Sequence, residues 1–226
     1  MSSQFSQLAS IPGGWTQREF HLAGRVLQVT LPAAPDAFLD DPEVLAANRR
    51  DDYMPYWSYL WPTSLETAVA VLRHPWPEGT NALEIGAGIA LTGLAALACG
   101  VRVAFSDYDR RALDLALFNA RANGFESRAE GLYLDWRQPI ERRFPVIFGC
   151  DVIYEKQNHQ PILRLLQQML DQEGQAWFTD PGRHQADGFL ELLRDAPFQV
   201  EHRVLPREPY PGRPDGLTNL WILRWK

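Results

Sequence analysis

Apolar and polar positions along the chain fall into two regimes. Up to about residue 80 the pattern is mixed. Glu19 to Leu31, EFHLAGRVLQVTL, carries two alternating runs on either side of Ala23-Gly24, which predicts a β-hairpin. Residues 32–55 are polar and proline-bearing, with a short helix expected around Pro42–Asn48. An aromatic run follows, Pro55-Tyr56-Trp57-Ser58-Tyr59-Leu60-Trp61-Pro62. A helix is then expected from Thr63 to Arg73, with Ser64 as its candidate cap.

From residue 81 strands alternate with helices. Strands are predicted at Asn81–Ile85, Arg102–Ser106, Gly131–Leu134, Pro145–Cys150 and Gln175–Thr179, with two closing strands at Phe198–Leu205 and Thr218–Trp225. Helices are predicted at Ala90–Cys99, Asp109–Asn123, Pro161–Leu170 and Gln185–Arg194; Gly100 and Gly124 stop the first two. This alternation predicts an α/β fold, a seven-stranded, mostly parallel sheet with helices on both faces. The closing pair has no helix between its strands, so the last strand is expected to be antiparallel. There is no internal repeat, and no linker marks a second domain. The expected organisation is a flexible N-terminus over residues 1–14, a hairpin-and-helix cap over 15–62, and one domain over 63–226.

Composition narrows the picture. The chain has 226 residues, 46% of them hydrophobic, enough for one domain with a full core. A formal charge of −6 argues against a nucleic-acid partner held by counterion release. Two cysteines, Cys99 and Cys150, exclude a disulfide framework and read as buried thiols of a reducing compartment. The N-terminal stretch MSSQFSQLASIPGG lacks the basic start and long apolar run of a signal peptide, and no apolar run approaches the ~20 residues of a membrane span. A cytoplasmic location is expected, with no membrane partner. The five histidines are scattered, so no metal site is expected.

The strongest local signal is Leu83-Glu84-Ile85-Gly86-Ala87-Gly88-Ile89-Ala90-Leu91-Thr92-Gly93, a strand-to-helix turn. Gly86 permits a tight turn and Gly88 lets the main chain approach a ligand. The spacing differs from the dinucleotide fingerprint, whose third glycine would fall at Leu91. Glu84 would repel a pyrophosphate and suit a cationic ligand group. Nineteen residues after Gly88, Asp107 ends the second strand, where an acid can accept from ribose hydroxyls. A nucleoside without pyrophosphate but with a cationic group describes S-adenosylmethionine.

Further candidates follow the later strands. Trp136 after the third strand could flank an adenine, and Asp135 could accept from the adenine's exocyclic amine. Asp151-Val152-Ile153-Tyr154 follows the fourth strand, on the rim where open parallel sheets bind ligands. Asp180-Pro181-Gly182-Arg183 ends the fifth strand on the same rim, as a polar edge or a mutual ion pair. The faces of Tyr56, Trp57, Tyr59 and Trp61 would suit a sulfonium or ammonium ion.

EIGAGIALTG from Glu84 to Gly93, LeuAspTrp ending at Trp136, Asp151-Val152-Ile153-Tyr154, and Trp61 ahead of the first domain helix together resemble the class I, seven-strand S-adenosylmethionine-dependent methyltransferases, over roughly residues 55–225. Within that class the chain is similar to the protein-lysine methyltransferase group. Its aromatic run and Asp180-Pro181-Gly182-Arg183 are closest to the branch that acts on the electron-transfer flavoprotein β-subunit. Thr63-Ser64 stands where that branch usually has Gly-Gly, and Ala90 replaces a common glycine.

The resemblance implies a Rossmann-like fold and S-adenosylmethionine as cofactor. It implies cofactor contacts from Trp61, Glu84, Gly86, Ala87, Gly88, Asp107, Trp136 and Cys150. It places Asp151 and Tyr154 at the acceptor, and makes a lysine-bearing protein the partner. Other readings are a small-molecule N- or O-methyltransferase, a dinucleotide-dependent oxidoreductase, and a non-catalytic binding module.

Overall fold

The computed structural model describes residues 5–206 and 216–226. Two strands, β1 (Trp15–Leu22) and β2 (Arg25–Pro32), form an antiparallel hairpin outside the main sheet, turning at Ala23-Gly24 as expected. After the short helix α1 (Pro42–Asp51), α2 (Ser64–Arg73) leads into the alternating region. That region runs β3 (Asn81–Ile85), α3 (Leu91–Ala98), β4 (Arg102–Asp107), α4 (Arg110–Ala122), β5 (Ala129–Tyr133), β6 (Phe144–Cys150), α5 (Lys156–Met169), β7 (Leu170–Asp180) and α6 (His184–Arg194). It closes with β8 (Phe198–Leu205) and β9 (Thr218–Trp225).

The seven main-sheet strands lie in the order β5-β4-β3-β6-β7-β9-β8. Strands β3 to β7 pair in parallel, and β9 inserts antiparallel to both β7 and β8. The chain winds outward from β3 in both directions, so the crevice at the carboxyl ends of β3, β4 and β6 is the topological switch point. Both faces are buried. Val146 and Phe148 of β6 join Leu65 and Ala68 of α2, Leu94 of α3 and Leu115 of α4 on one side. Ile147 between them points to Ile162 and Leu166 of α5 and Phe189 of α6 on the other. The side-chain period of two thus feeds two apolar layers.

The hairpin is fastened to the domain by two asparagines one helical turn apart, Asn119 on α4 and Asn123 at its C-terminal cap. Asn119 Oδ1 accepts from the Thr30 N–H at 2.7 Å, and its Nδ2 donates to the Thr30 carbonyl at 2.9 Å. Asn123 repeats the exchange with Gln28, at 2.9 and 2.7 Å. The carboxamides satisfy the unpaired edge of β2, which blunts it as a template for foreign strands.

Three local expectations change. Ser64 is the first helical residue of α2 and Thr63 occupies the cap position, but no side chain there caps the helix, because the Thr63 hydroxyl is used elsewhere. Helix α5 begins at Lys156 and runs through Pro161, which the sequence suggested as its first residue. Strand β7 begins at Leu170 rather than Gln175, its pairing with β6 shifting register between Phe144 and Val146. In the N-terminal stretch, Ile11 is buried, the Trp15 indole donates to the Ala9 carbonyl at 2.9 Å, and the rings of Phe5 and Phe118 lie 6.4 Å apart. Residues 5–14 therefore rest on the domain rather than hanging free, while residues 1–4 lie outside the described residues. No helix of the described residues is long and apolar enough to cross a membrane, and these residues hold no cluster of three or more metal-ligating groups.

Asn119→Ala should destabilise the fold by about 2–4 kcal/mol, because it strands two buried backbone groups of Thr30. Urea unfolding followed by tryptophan fluorescence measures the loss; a change below about 0.5 kcal/mol would mean water replaces the asparagine there.

Candidate active site

The carboxyl ends of β3, β4 and β6 open into one cavity of about 1060 Å³. It lies at the top of the size range for small-molecule sites, with room for a nucleoside-sized ligand and a second group. The cap segment from Tyr53 to Trp61 forms one wall. The Tyr53 hydroxyl donates to Asp109 at the start of α4 and accepts from Arg111 Nη2 at 2.8 Å and from the Trp57 indole at 3.3 Å. Neither Tyr53 nor Arg111 carried a sequence signal, because this anchor joins residues more than fifty positions apart.

The glycine turn forms the cavity floor. Gly86 and Gly88 have φ of +61° and +51°, and Ala90 holds +66°, a left-handed conformation that a glycine would adopt without strain. A Cβ at Gly88 would lie 3.3 Å from the Trp57 carbonyl, so the cap leans on this turn. A Cβ at Gly86 would come within 3.0 Å of both Trp136 and Val152. The turn is thus a cradle whose bare main chain is enclosed by aromatic and apolar walls.

Two buried acids stand behind it. Asp107 Oδ2 accepts from the Gly88 N–H at 3.1 Å and Oδ1 from the Asp109 N–H at 2.9 Å. Burial pushes its carboxyl up to about 6, against the pull of those N–H groups. Each oxygen keeps a lone pair for a further donor. Glu84 Oε2 accepts from the Gly93 N–H at 3.1 Å, in the first turn of α3. Burial pushes Glu84 up to about 8, with the nearby charge of Asp107 adding a smaller upward push. A Cβ on Gly93 would fall 2.5 Å from Glu84 Oε2 and 2.4 Å from Phe105, so that glycine serves the acid rather than the ligand. The cradle, two half-satisfied buried acids and the indole of Trp136 form a donor and acceptor set that fits a nucleoside bearing a cation.

Trp136 lines this cavity, as do Ala87 and Cys150. The Cys150 thiol faces a hydroxyl cluster, 3.3 Å from Thr63 Oγ1 and 3.8 Å from Ser64 Oγ, and burial raises it to about 11. Asp135 departs from expectation. Arg137 Nε lies 2.9 Å from both its oxygens and Nη2 2.6 Å from Oδ2, so the fork that an adenine amine would need is already taken.

The Asp151 side chain has no solvent exposure. Its Oδ1 accepts from Arg183 Nη1 at 2.5 Å, and its Oδ2 from the Thr63 hydroxyl at 2.5 Å and the Thr63 N–H at 3.1 Å. The same Arg183 nitrogen reaches Asp180 Oδ2 at 3.1 Å, which realises the ion-pair reading of that turn. Burial pushes the Asp151 carboxyl up, and Arg183 opposes the push. Asp151 also holds φ of +54°, a left-handed conformation that a non-glycine residue keeps only when its surroundings enforce it. Asp151 lines the cavity, but its carboxylate is enclosed and engaged by Arg183 and Thr63 on both oxygens. Tyr154, three residues on, also lines the cavity. Its ring stacks on Trp61 at 5.8 Å and meets Tyr56 edge-on at 5.6 Å. The Arg183 guanidinium lies 5.7 Å from the Trp61 ring centre and 5.5 Å from that of Tyr154.

Two predictions follow from these burials. The folded Glu84 carboxyl sits well above its ordinary value of 4.5. A raised acid loses stability for the fold as pH climbs from the unfolded value toward the folded one. Glu84→Gln removes that loss while keeping an oxygen for the Gly93 N–H. The variant should therefore match wild type near pH 4 and exceed its stability at pH 8 by on the order of a few kcal/mol, as denaturant melts at both pH values would read. Arg183→Met should have the opposite sign at neutral pH. It leaves two enclosed carboxylates without a cation and should destabilise by roughly 3–5 kcal/mol, visible in the same melts.

Comparison with known proteins agrees with this geometry. A family model described as lysine methyltransferase matches residues 59–196, well over half of the chain. The histone-arginine methyltransferase METTL23 of Xenopus laevis is 29% identical over 157 residues, which are 61% of this chain and 62% of that protein. The protein N-lysine methyltransferase METTL21A of Xenopus tropicalis is 26% identical over 123 residues, 52% of this chain and 57% of that one. The match thus spans about six-tenths of these relatives' length. The solved ribosomal protein L11 methylase from Lactobacillus delbrueckii subsp. bulgaricus shares the fold, with a TM-score of 0.58 and 19% identity over 74% of this chain and 81% of its own. With its parallel sheet wound from β3 and its acid-backed glycine turn, the chain belongs to the lysine methyltransferase family, whose cofactor is S-adenosylmethionine.

Proposed function

We propose that the chain transfers a methyl group from S-adenosylmethionine to a side-chain nitrogen of a protein, lysine foremost. One observation carries this reading: the cofactor-type floor of Gly86, Gly88 and Asp107 shares a single cavity with the aromatic wall of Tyr56, Trp61 and Tyr154. When bound, S-adenosylmethionine supplies an electrophilic methyl on a sulfonium sulfur. Asp107 would accept from the ribose, Trp136 would cover the adenine, and the main chain of Gly86, Ala87, Gly88 and Cys150 would line the sugar and methionyl part. Glu84 would balance the methionyl cation, and Trp61 would border the reacting end.

A lysine acceptor has to lose a proton, from an ordinary value of ~10.4. Desolvation by Tyr154, Tyr56 and Trp61 disfavours its charged form. The charge on Asp151 is already met by Arg183, so that carboxylate does not hold the acceptor in its ammonium state. Asp151 is a positioning residue. It ties the end of β6 to the start of α2 through Thr63, and through Arg183 it supports the rings that aim the acceptor. Alignment of this kind supplies up to ~7–11 kcal/mol of a barrier in the best cases. The relatives named for arginine support a second acceptor chemistry, a guanidinium in place of an ammonium.

Calorimetric titration with S-adenosylhomocysteine, with NAD alongside, tests the reading. Micromolar binding of the first and none of the second is expected, and Asp107→Ala should weaken the first by roughly tenfold or more. Tritiated-methyl transfer to extract proteins, followed by mass spectrometry of the labelled residue, then reads the acceptor. A chain that binds NAD and not S-adenosylhomocysteine would overturn the proposal.

A further inference from the structure

With the Asp151 carboxylate enclosed, the acid that meets the acceptor has to be found elsewhere on the cavity. Glu155 is the carboxylate next along the chain, directly after Tyr154, and it lines the same cavity as Tyr56 and Tyr154. It is half-buried, so it is open to an entering group. Its Oε2 accepts from the Asn158 amide at 2.8 Å and the Gln157 amide at 3.4 Å. Its Oε1 has no hydrogen-bond partner among the described residues, and no lysine or arginine among them lies within ion-pair distance of it. Among the other acids of the cavity, Asp151, Asp109, Asp135 and Asp51 are paired with arginines, Glu84 and Asp107 back the glycine turn, and Glu43 and Asp52 belong to α1 and its C-terminal cap. The charge of Glu155 is felt by Tyr56, Tyr108 and Tyr154, whose phenols it pushes upward after burial has done so.

We propose that Glu155 is the acceptor-recognition carboxylate. An incoming ammonium ion meets its uncommitted Oε1 at the cavity mouth, beside the rings of Tyr56 and Tyr154. This rests on the methyltransferase reading above and narrows its acceptor class. A guanidinium seeks a two-pronged carboxylate, and Glu155 offers one uncommitted oxygen, with Oε2 held by amides. A compact ammonium needs only one prong and gains further from aromatic faces. The half-exposed position leaves solvent at hand to take the acceptor's proton.

The test uses the full chain saturated with S-adenosylhomocysteine and titrated with n-butylammonium or n-propylguanidinium, read by calorimetry. Butylammonium should bind wild type, and more tightly than propylguanidinium does. Glu155→Gln should weaken butylammonium roughly three- to tenfold and leave S-adenosylhomocysteine affinity unchanged. Glu155→Asp, which keeps the charge, should retain more of the binding than Glu155→Gln. A role confined to holding the start of α5 predicts the reverse order, since Gln keeps the acceptor for Asn158. Equal butylammonium affinity in wild type and Glu155→Gln, tighter binding of propylguanidinium, or no butylammonium binding to the loaded wild type would each overturn the assignment. Failure of wild type to bind S-adenosylhomocysteine would instead overturn the methyltransferase reading beneath it.

Discussion

A guanidinium clamped between two enclosed carboxylates organises the β6–β7 end of the cavity. Arg183 follows the end of β7, Asp151 the end of β6, and Asp180 ends β7. Thr63, at the entry to α2, completes the set through its hydroxyl and its N–H. Removing any one leaves a buried charge or dipole unmet, so three segments far apart in sequence are held in one geometry. The same guanidinium lies within about 6 Å of the ring centres of Trp61 and Tyr154, which carries the fixed position outward to the cavity wall. The strained backbone of Asp151 fits this role: the network on its side chain enforces a conformation that the residue would not choose alone.

The glycine-turn end follows a different logic. Glu84 and Asp107 are buried without cations, and burial holds both above their ordinary acid range. Backbone N–H groups from α3 and from the glycine turn satisfy part of each carboxylate. Asp107 keeps an unpaired charge at neutral pH, whereas Glu84, held near 8, keeps its proton until a cationic ligand group favours its release. The fold thus carries an electrostatic deficit at one end of the cavity and a closed, neutralised network at the other. That contrast separates a pocket that awaits charge from a wall that is already complete.

The cap joins the two ends. Tyr53 pins it to the start of α4, and the main chain of Trp57 presses on Gly88. Its aromatic run then reaches Tyr154 with Tyr56 and Trp61. The hairpin behind it is held by Asn119 and Asn123, so the cap is continuous with the domain rather than a separate body.

The sequence by itself determined the elements and the meeting of the glycine turn with its two acids. Alternation of period two against runs of period 3.6 is a local property, and it located the seven main-sheet strands and the helices within a few residues of their ends, apart from the early starts of α5 and β7. The glycine turn, Glu84 and Asp107 sit at the ends of consecutive strands, so strand order alone brings them together. Only the tertiary structure decided the surroundings of Asp151. Whether the Asp151 carboxylate is free or enclosed depends on Arg183 and Thr63, which are 32 and 88 positions away. A motif read along the chain shows that an acid follows the fourth strand; it carries nothing of which cation reaches that acid first. Side-chain pairing across distant segments is set by packing, and no period in the sequence encodes it.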